Sequence, residues 1–361
     1  MKTKPRPILA IEKGEKVFIP RKYRKIHNLC AIIYDQLTEI YTEKNYKALF
    51  YTVFNFDQND VNIDQLKNEG IHVLDWLKIN NRNEDIELAL TKQIVPALVS
   101  DFINFIFESM HCAKRGKMTV AYALLRKPLT DELLILEQIL LDRTTFIDKL
   151  FHSGNPEDYD PSRKDIDKKE IIKNILDILD NPFFEDYEFI YDLRYNKASP
   201  MGINGISNHA LHIVTRDRNY KTENQNLNFI FSQEEDMARY YMQYYFVVPY
   251  LLIYAVSIID KILFSILTDE DNQNLSIVKQ FRRYIGFILF TEYNTGKKLN
   301  VAFKGISKGL TLICPKCKSQ LVMDRADFNL FFETEIIICP NCLINILTQE
   351  NVKAISKAFD L

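Results

Sequence analysis

The chain has 361 residues, of which 47% are apolar, 26% are charged and only ten are glycine. This composition excludes a disordered or fibrous chain, and the length suits one large body with a small appendage. The formal net charge of −2 does not by itself indicate nucleic acid or a membrane surface as a partner.

The charge is unevenly distributed along the chain. Residues 1–25 carry nine Lys or Arg against two Glu, and residues 296–361 carry nine against six acids, so the region between them is acidic. We expect residues 1–25 to form a basic extended arm or a small hairpin, because two short apolar runs flank Gly14. Such an arm could contact phosphates, although a run such as RKYRK (21–25) is also common as a solvated approach to a helix.

Helices are predicted from about residue 26 onwards. In residues 26–45 the apolar positions recur at spacings of three and four, and residues 83–114 repeat the pattern with a longer apolar face. The clearest helix begins near Pro128, which suits a first turn, and ends at Gly154 and Pro156. The polar residues 155–169 predict an exposed connection, after which helical spacing resumes over 169–179.

Residues 192–231 interrupt the helical pattern. They contain two β-like runs, ALHIVT (210–215) and LNFIF (227–231), so we expect a loop followed by a hairpin. Ser232 with Glu235 then predicts a capping box that begins another long helix.

That long helix contains sixteen consecutive uncharged residues, 244–259. A helix of this length covers about 24 Å, which is short of the roughly 30 Å hydrocarbon core of a bilayer. We therefore expect a buried core helix that is kinked at Pro249, with a membrane span as the alternative.

Two cysteine pairs near the C-terminus share the pattern Ile-Cys-Pro-Xaa-Cys. Two residues between thiolates allow one tight turn to present both sulfur atoms to one ion, and two such turns complete the tetrahedron that zinc accepts. The predicted ligands are Cys314, Cys317, Cys339 and Cys342. Four protein ligands leave no position for water or substrate, so we expect Zn²⁺ to be structural; the alternative is a pair of redox dithiols.

The spacing of these pairs resembles the zinc-ribbon family, which implies a small β domain over residues 296–361. The two strands expected between the pairs are QLVM and either FNLFF or EIII. Phe328, Phe331 and Phe332 are expected in the core of this domain or against the helical body, with base stacking as the alternative.

The other cysteines, Cys30 and Cys112, imply no disulfide framework, and the metal pairs require reduced sulfur. The N-terminus also has too few apolar residues for a signal-peptide core. A cytoplasmic location is therefore expected.

A second constellation carries possible catalytic chemistry. Two imidazoles and three guanidinium groups within 25 residues could bind and cleave a phosphodiester. The candidate residues are Arg194, His209, His212, Arg216 and Arg218, together with Asp217. If residues 207–213 form a strand, as we expect, the two histidines point to opposite faces, whereas in a helix they share one face.

The large helical body with this loop loosely resembles the HEPN-like proteins, many of which are ribonucleases in defence against phage or in toxin systems. The motif of that family is an arginine, four to six residues, and then a histidine. Arg21 and His27 meet this spacing, whereas Arg194 and His209 do not. The motifs of P-loop, dinucleotide-binding, zincin and common serine-hydrolase proteins are absent from the sequence.

The sequence thus predicts a mainly α protein: a helical bundle over residues 26–295 with a loop or hairpin insertion near 192–231, followed by a C-terminal zinc ribbon. The expected function is recognition of a protein or nucleic-acid partner by the ribbon and the basic arm, with prokaryotic defence as one setting. The alternative is a metal-independent HEPN-like ribonuclease that uses the 194–218 loop. No membrane partner is expected.

Overall fold

The computed structural model describes residues 7–56, 66, 70–184, 186–216 and 219–359. Helices of all types account for 67% of these residues, and the one sheet among them has two short antiparallel strands near the C-terminus. The prediction of a mainly α fold is therefore confirmed. The first α-helices are α1 (Arg24–Thr42), α2 (Val73–Ile79), α3 (Asn83–Lys114), α4 (Met118–Arg126), α5 (Leu133–Leu141), α6 (Arg143–Ile147), α7 (Pro156–Tyr159) and α8 (Lys168–Leu179).

The second half of the chain contains two long consecutive helices, α11 and α12, and the sheet. Its elements are α9 (Tyr187–Arg194), α10 (Ile203–Leu211), α11 (Glu234–Ile266), α12 (Glu270–Thr295), α13 (Asn300–Gly309), β1 (Leu312–Ile313), β2 (Gln320–Leu321), α14 (Arg325–Thr334) and α15 (Gln349–Phe359). Short 3₁₀ segments occupy Arg21–Tyr23 and Lys44–Phe50, and π-helical turns occupy Lys127–Glu132 and Asp148–Ser153.

Helix α11 is the centre of the bundle. Every residue from 247 to 256 is buried, including Pro249 in the helix interior, because α1, α3, α4, α5, α8 and α12 pack around it. A helix that is apolar on all sides requires such enclosure. Among the described helices α11 alone is long and apolar enough to cross a membrane, and 78% of its most apolar window is buried in the protein.

Tyrosines supply several of the polar contacts of this core. The hydroxyl of Tyr244 bonds with Ser109 Oγ at 2.8 Å, and that of Tyr241 donates to the carbonyl of Ala113 at 2.8 Å. Tyr254 donates to Glu137 Oε1 at 2.6 Å. Because a buried hydroxyl without a partner destabilises the folded state, these bonds fix the orientation of α11 relative to α3 and α5.

The described part of the N-terminal arm, residues 7–20, contains turns and no strand. Leu9, Ile11 and Ile19 are buried against the bundle. His27 holds the arm in place, because its Nε2 bonds with the carbonyl of Leu9 at 2.9 Å and its Nδ1 with the hydroxyl of Tyr245 at 2.9 Å.

The helix that the sequence predicts from Pro128 to Gly154 is divided in the structure. Pro128 lies in a π-helical turn that continues α4, where its missing N–H is tolerated. Asp142 ends the helical path after α5, because its side chain accepts a hydrogen bond from the amide of Thr145 and caps α6. Gly154 ends the segment with φ 66°, as the sequence predicts.

The strand prediction for residues 210–215 is wrong. Ala210 and Leu211 end α10, and the described residues that follow, 212–216 and 219–232, form a loop without a strand. Hydrogen bonds close this loop: the amide of Thr222 donates to the carbonyl of Thr215 at 3.0 Å, and the amide of Asn228 to that of Ile213 at 2.9 Å. Side-chain bonds from polar residues replace the ladder that a β-like run would need.

Helix α11 begins one residue later than predicted. The capping box is formed by Gln233 and Asp236, while the Ser232 hydroxyl donates to the carbonyl of Phe229.

In the C-terminal module FNLFF, one of the two alternatives for the second strand, is helical. Asp324 and Asp327 form a capping box that begins α14. Phe328, Phe331 and Phe332 are 0 to 3% exposed, and their spacing of three and four residues places them on one helical face. Their predicted role in the core is confirmed.

Two helical glycines give a matched test of this packing. A Cβ on Gly286 of α12 would lie 2.7 Å from Cε2 of Phe332, whereas a Cβ on Gly305 of α13 meets nothing within 4 Å. We expect Gly286→Ala to destabilise the protein by about 1–3 kcal/mol through overpacking. Gly305→Ala is expected to stabilise it by about 0.5–1 kcal/mol. Urea unfolding of both variants measures these changes. A change of the same sign in the free energy of unfolding of both variants would contradict the described docking of α14.

Candidate functional site

The four predicted cysteine ligands lie together. The Sγ atoms of Cys314, Cys317, Cys339 and Cys342 are all within 4.8 Å of one another, and those of Cys317 and Cys339 are 3.7 Å apart. A tetrahedral zinc ion with bonds of 2.3 Å requires sulfur atoms about 3.8 Å apart. The cluster is consistent with a zinc ribbon and could bind a metal ion such as zinc.

Two turns of matching geometry present these thiols. In the first turn the amide of Cys314 donates to the carbonyl of Ser319, and the amide of Lys318 donates to the carbonyl of Cys314, both at 2.9 Å. In the second turn the amide of Cys339 donates to the carbonyl of Ile344 at 3.0 Å, and the amide of Leu343 donates to the carbonyl of Cys339 at 2.8 Å. The equivalence of the two Cys-Pro-Xaa-Cys sequences therefore extends to their hydrogen bonds.

Both turns contain a residue with left-handed backbone geometry. Lys318 has φ 58° and Leu343 has φ 55°, at equivalent positions directly after the second cysteine of each pair. Leucine is unfavourable in this region, so the conformation persists because the turn geometry requires it. Such strain is typical of a ligand clamp.

The sheet and α15 hold the first turn in position. Strands β1 and β2 flank this turn, with Leu312 opposite Leu321. Asn351 of α15 accepts a hydrogen bond from the amide of Ile313 at 3.0 Å and donates to the carbonyls of Ile313 at 3.0 Å and Ile346 at 2.6 Å. One buried side chain thus joins the metal-binding turns to the last described helix.

The surroundings of the thiols favour a negative charge on at least one of them. Hydrogen bonds from the side chain and backbone of Ser319 lower the pKa of Cys317 to about 6, and the Ser319 hydroxyl lies 2.9 Å from its sulfur atom. The contact with Cys317 raises the pKa of Cys342 to about 12. A thiolate is the metal-binding form of cysteine, so Ser319 prepares the site for a cation.

The module is anchored on the bundle by a buried charge network. Lys279 Nζ of α12 lies 2.6 Å from carboxylate oxygens of both Glu39 on α1 and Glu335 after α14. Arg282 also pairs with Glu335, and its Nε donates to the carbonyl of Phe332 at 2.6 Å. The metal-binding module is therefore packed against the body through specific contacts.

The structure places Arg194 away from any surface. This side chain is 0% exposed and pairs with Glu137, while its Nε donates to the carbonyl of Leu129 at 2.8 Å. Its Nη2 donates to the hydroxyl of Tyr195 at 2.8 Å. These contacts give Arg194 a structural role in joining α9 to α5.

The two candidate histidines have different surroundings. His209 is half-buried in the last turn of α10, where its Nδ1 lies 2.9 Å from Thr215 Oγ1 and 3.0 Å from the carbonyl of Tyr220. Burial lowers the pKa of His209. His212 is exposed and follows the helix with extended backbone angles. Neither the strand nor the continuous helix considered from sequence describes this pair.

The remaining residues of that constellation are not gathered around the histidines in the part of the chain that the structure describes. Arg216 is exposed, and Arg218 with Asp217 lies outside the described residues. His27, which has the family spacing from Arg21, is 0% exposed, and burial lowers its pKa to about 4. A catalytic role for His209, His212 and Arg216 stays a prediction.

Sequence reasoning missed two groups of charged residues. Six lysines and no acid occur between residues 293 and 323, a pattern that was visible in the sequence but was diluted when the whole C-terminal region was counted. A second group, which includes Lys261, Arg283 and Lys357, lines one cavity although it is scattered over 97 positions of the sequence. No sequence signal could have joined those residues.

Comparison with family models, curated proteins and solved structures finds no match to this chain. The loose resemblance to HEPN-like proteins is therefore unsupported by relatives, and the function must be argued from the residues themselves.

Metal binding can be tested with a matched pair of cysteine variants. Cys339→Ser removes one of four ligands, so we expect loss of stoichiometric metal during dialysis against a chelator and a lower denaturation midpoint. Cys112→Ser alters a half-buried thiol of α3 outside the cluster and should keep one metal ion per chain. Metal analysis of both proteins checks this, and equal metal contents would contradict the assignment.

The structural role of Arg194 is tested by stability. Arg194→Ala leaves the Glu137 carboxylate buried without its cation, so we expect a loss of about 3–5 kcal/mol in the free energy of unfolding. Arg216→Ala on the exposed loop should change it by less than about 0.5 kcal/mol. Urea unfolding measures both, and an unchanged Arg194→Ala protein would show that the ion pair does not support the fold.

Proposed function

We propose that the protein is a non-catalytic nucleic-acid-binding protein. In this proposal a structural Zn²⁺ folds the C-terminal module, and lysines beside the metal site contact the phosphate backbone of a duplex. The observation that carries the proposal is the run of six exposed lysines without one acidic residue over residues 293–323, called the lysine segment below. Its lysines are Lys297, Lys298, Lys304, Lys308, Lys316 and Lys318.

The zinc ion would be held by the four cysteines and would supply folding energy. Its shell is closed, so it offers no position for a substrate or an activated water. A catalytic metal site normally keeps one open position, and the donor set therefore supports a structural role. The thiolates and the ion together carry a charge of −2, which offsets part of the positive charge of the lysine segment.

The lysines of this segment are available for a ligand. All six are exposed, and none forms an ion pair with a carboxylate in the part of the chain that the structure describes. The nearest preceding acid, Glu292, is occupied by Arg325 at 2.6 and 2.8 Å. The segment therefore presents uncompensated positive charge to the solvent.

Helix α13 concentrates this charge on one face. Phe303 and Ile306 are buried, whereas Lys304 and Lys308 are exposed four residues apart. Like charges at this spacing destabilise a helix by roughly 0.2–0.5 kcal/mol. A pair of like charges that destabilises a helix is expected where a ligand binds to both charges. An anion between the two ammonium groups would remove the repulsion.

The basic arm lies beside the same region. Lys25 Nζ is 5.6 Å from the ring centroid of Tyr293, four residues before Lys297. Arg21 and Lys22 are exposed on the turn before α1. The last residue of the basic arm thus contacts the first residue of the lysine segment, which supports one extended contact with a polyanion.

A duplex fits this surface better than single-stranded bases do. Recognition of single strands relies on exposed aromatic rings that stack on bases. The phenylalanines between residues 296 and 335 are Phe303, Phe328, Phe331 and Phe332, and all four are buried. Contacts with phosphates alone give affinity without sequence preference.

The ribonuclease alternative retains His209 and His212 but has no observation that favours it over binding. A cytoplasmic location and a role in prokaryotic defence likewise stay predictions. Recognition of a protein would require a surface other than the lysine segment, or an acidic partner in place of phosphates.

The proposal predicts salt-dependent binding of a duplex. Fluorescence anisotropy with a 20-base-pair DNA and an RNA of the same sequence should show a linear fall of log K with log salt concentration. Lys304→Gln with Lys308→Gln should weaken binding and reduce the slope by about 2, since two phosphate contacts are lost. Lys164→Gln with Lys173→Gln, two exposed lysines of the body, is the control.

Each other outcome of this experiment argues against the proposal. Absence of binding at low salt, or equal loss in the control, would remove the lysine segment as the contact. Cleavage of the RNA in the presence of EDTA that His209→Ala with His212→Ala abolishes would favour the ribonuclease.

A further inference from the structure

A cavity of about 740 Å³ lies between α11, α12, α15 and residues 179–182. Its size falls within the range of 300–1,000 Å³ that is typical of small-molecule sites. None of its lining residues is a metal ligand or belongs to the lysine segment. The cavity is thus a separate feature of the molecule.

A buried ion pair contributes to the wall of this cavity. Arg283 is 4% exposed and its Nη2 donates to Asp260 Oδ2 at 3.0 Å. Its Nε and Nη1 have no hydrogen-bond partner among the residues that the structure describes. Buried guanidinium groups normally use most of their five donors, so Arg283 has binding capacity that the protein leaves unused.

Two further cations lie in the lining. Lys261 follows Asp260 on α11, and Lys357 lies on the exposed side of α15. Neither forms an ion pair with a carboxylate in the described parts of the chain. Asp180 is the other acid of the lining, so three cations face two carboxylates. The excess of positive charge favours an anionic ligand.

The uncharged part of the lining suits a ring and polar substituents. Tyr284 and Phe359 form an aromatic wall with ring centroids 5.0 Å apart. Ser257, Ser276 and Gln280 add hydroxyl and amide groups from two helices. Aromatic surface together with a few polar groups is the usual composition of a specific small-molecule site.

We propose that this cavity binds a mononucleotide-class ligand, in which a phosphate group pairs with Lys261 and Lys357 and a planar base packs against Tyr284 and Phe359. This site is independent of the duplex contact proposed above. It adds recognition of a small molecule to a protein whose other charged region suits a polymer.

The metal cluster supports one wall of this site. Helix α15, which supplies Lys357 and Phe359, is joined to β1 by the hydrogen bonds of Asn351 and to α12 by contact of Phe359 with Phe281, with ring centroids 5.0 Å apart. Loss of the metal would release the turns that hold β1. Ligand affinity is therefore expected to fall when the metal is removed.

Isothermal titration calorimetry of the full, metal-loaded chain with AMP, GMP, CMP and UMP, each tested separately, examines the site. We expect at least one of the four to bind with a micromolar Kd. Lys261→Gln with Lys357→Gln should weaken that binding at least tenfold, and inorganic phosphate should bind at least tenfold more weakly than the nucleotide. Both lysines lie at partly or fully exposed positions, so the fold should persist, as the denaturation midpoint will show.

Two controls separate this site from its surroundings. Lys353→Gln alters an exposed lysine one turn earlier on α15, which pairs with Glu270 outside the cavity lining, and should leave nucleotide affinity unchanged. Lys304→Gln with Lys308→Gln should do the same, whereas duplex binding should survive the loss of Lys261 and Lys357. No binding of any of the four nucleotides at millimolar concentration would overturn the proposal. Binding that the cavity variant leaves intact, or phosphate that binds as tightly as the nucleotide, would overturn it equally.

Discussion

The contact of Lys279 with two carboxylates from distant parts of the chain is the interaction on which the arrangement of the molecule depends. Glu39 belongs to α1 and Glu335 follows α14, so one ammonium group joins the first helix, the α12 helix and the metal-binding module. Glu335 has φ 58°, a geometry that is unfavourable for glutamate and that places its carboxylate between Lys279 and Arg282. Removal of one partner from such a network leaves a buried charge unpaired, which is more costly than the network is stabilising.

The cluster of four cysteines and this network act on the same segment. The cluster fixes the turns on either side of α14, and the network fixes the end of α14 on α12. Helix α14 also inserts Phe332 against Gly286, where no larger residue fits without movement. The module is therefore held from both ends, and it presents the lysine segment and α15 in defined positions relative to the bundle.

Burial decides what each cation of this protein does. Arg194 and Arg282 are 0% and 1% exposed, and both pair with carboxylates from other parts of the chain. The lysines of residues 297–318 are exposed and have no such partners among the described residues. Since desolvation makes a buried cation dependent on its partner, the first group specifies the fold and the second is available to solvent and ligands.

The sequence by itself determined the helical class, the buried helix α11, the helix end at Gly154 and the set of four cysteines that lie together, because each follows from local spacing. It did not determine the secondary structure of short apolar runs, because such runs fit both the helical period of 3.6 residues and the strand period of two. Residues 210–211 lie at the end of α10, and residues 328–332 lie in α14, which begins at a capping box and buries its phenylalanines, so β propensity did not decide either segment. Only the tertiary structure decided that Arg194 is buried, that Lys25 lies beside Tyr293, and that Lys261, Arg283 and Lys357 share a cavity. These outcomes depend on contacts between residues far apart in the chain, and such contacts leave no pattern in a single sequence.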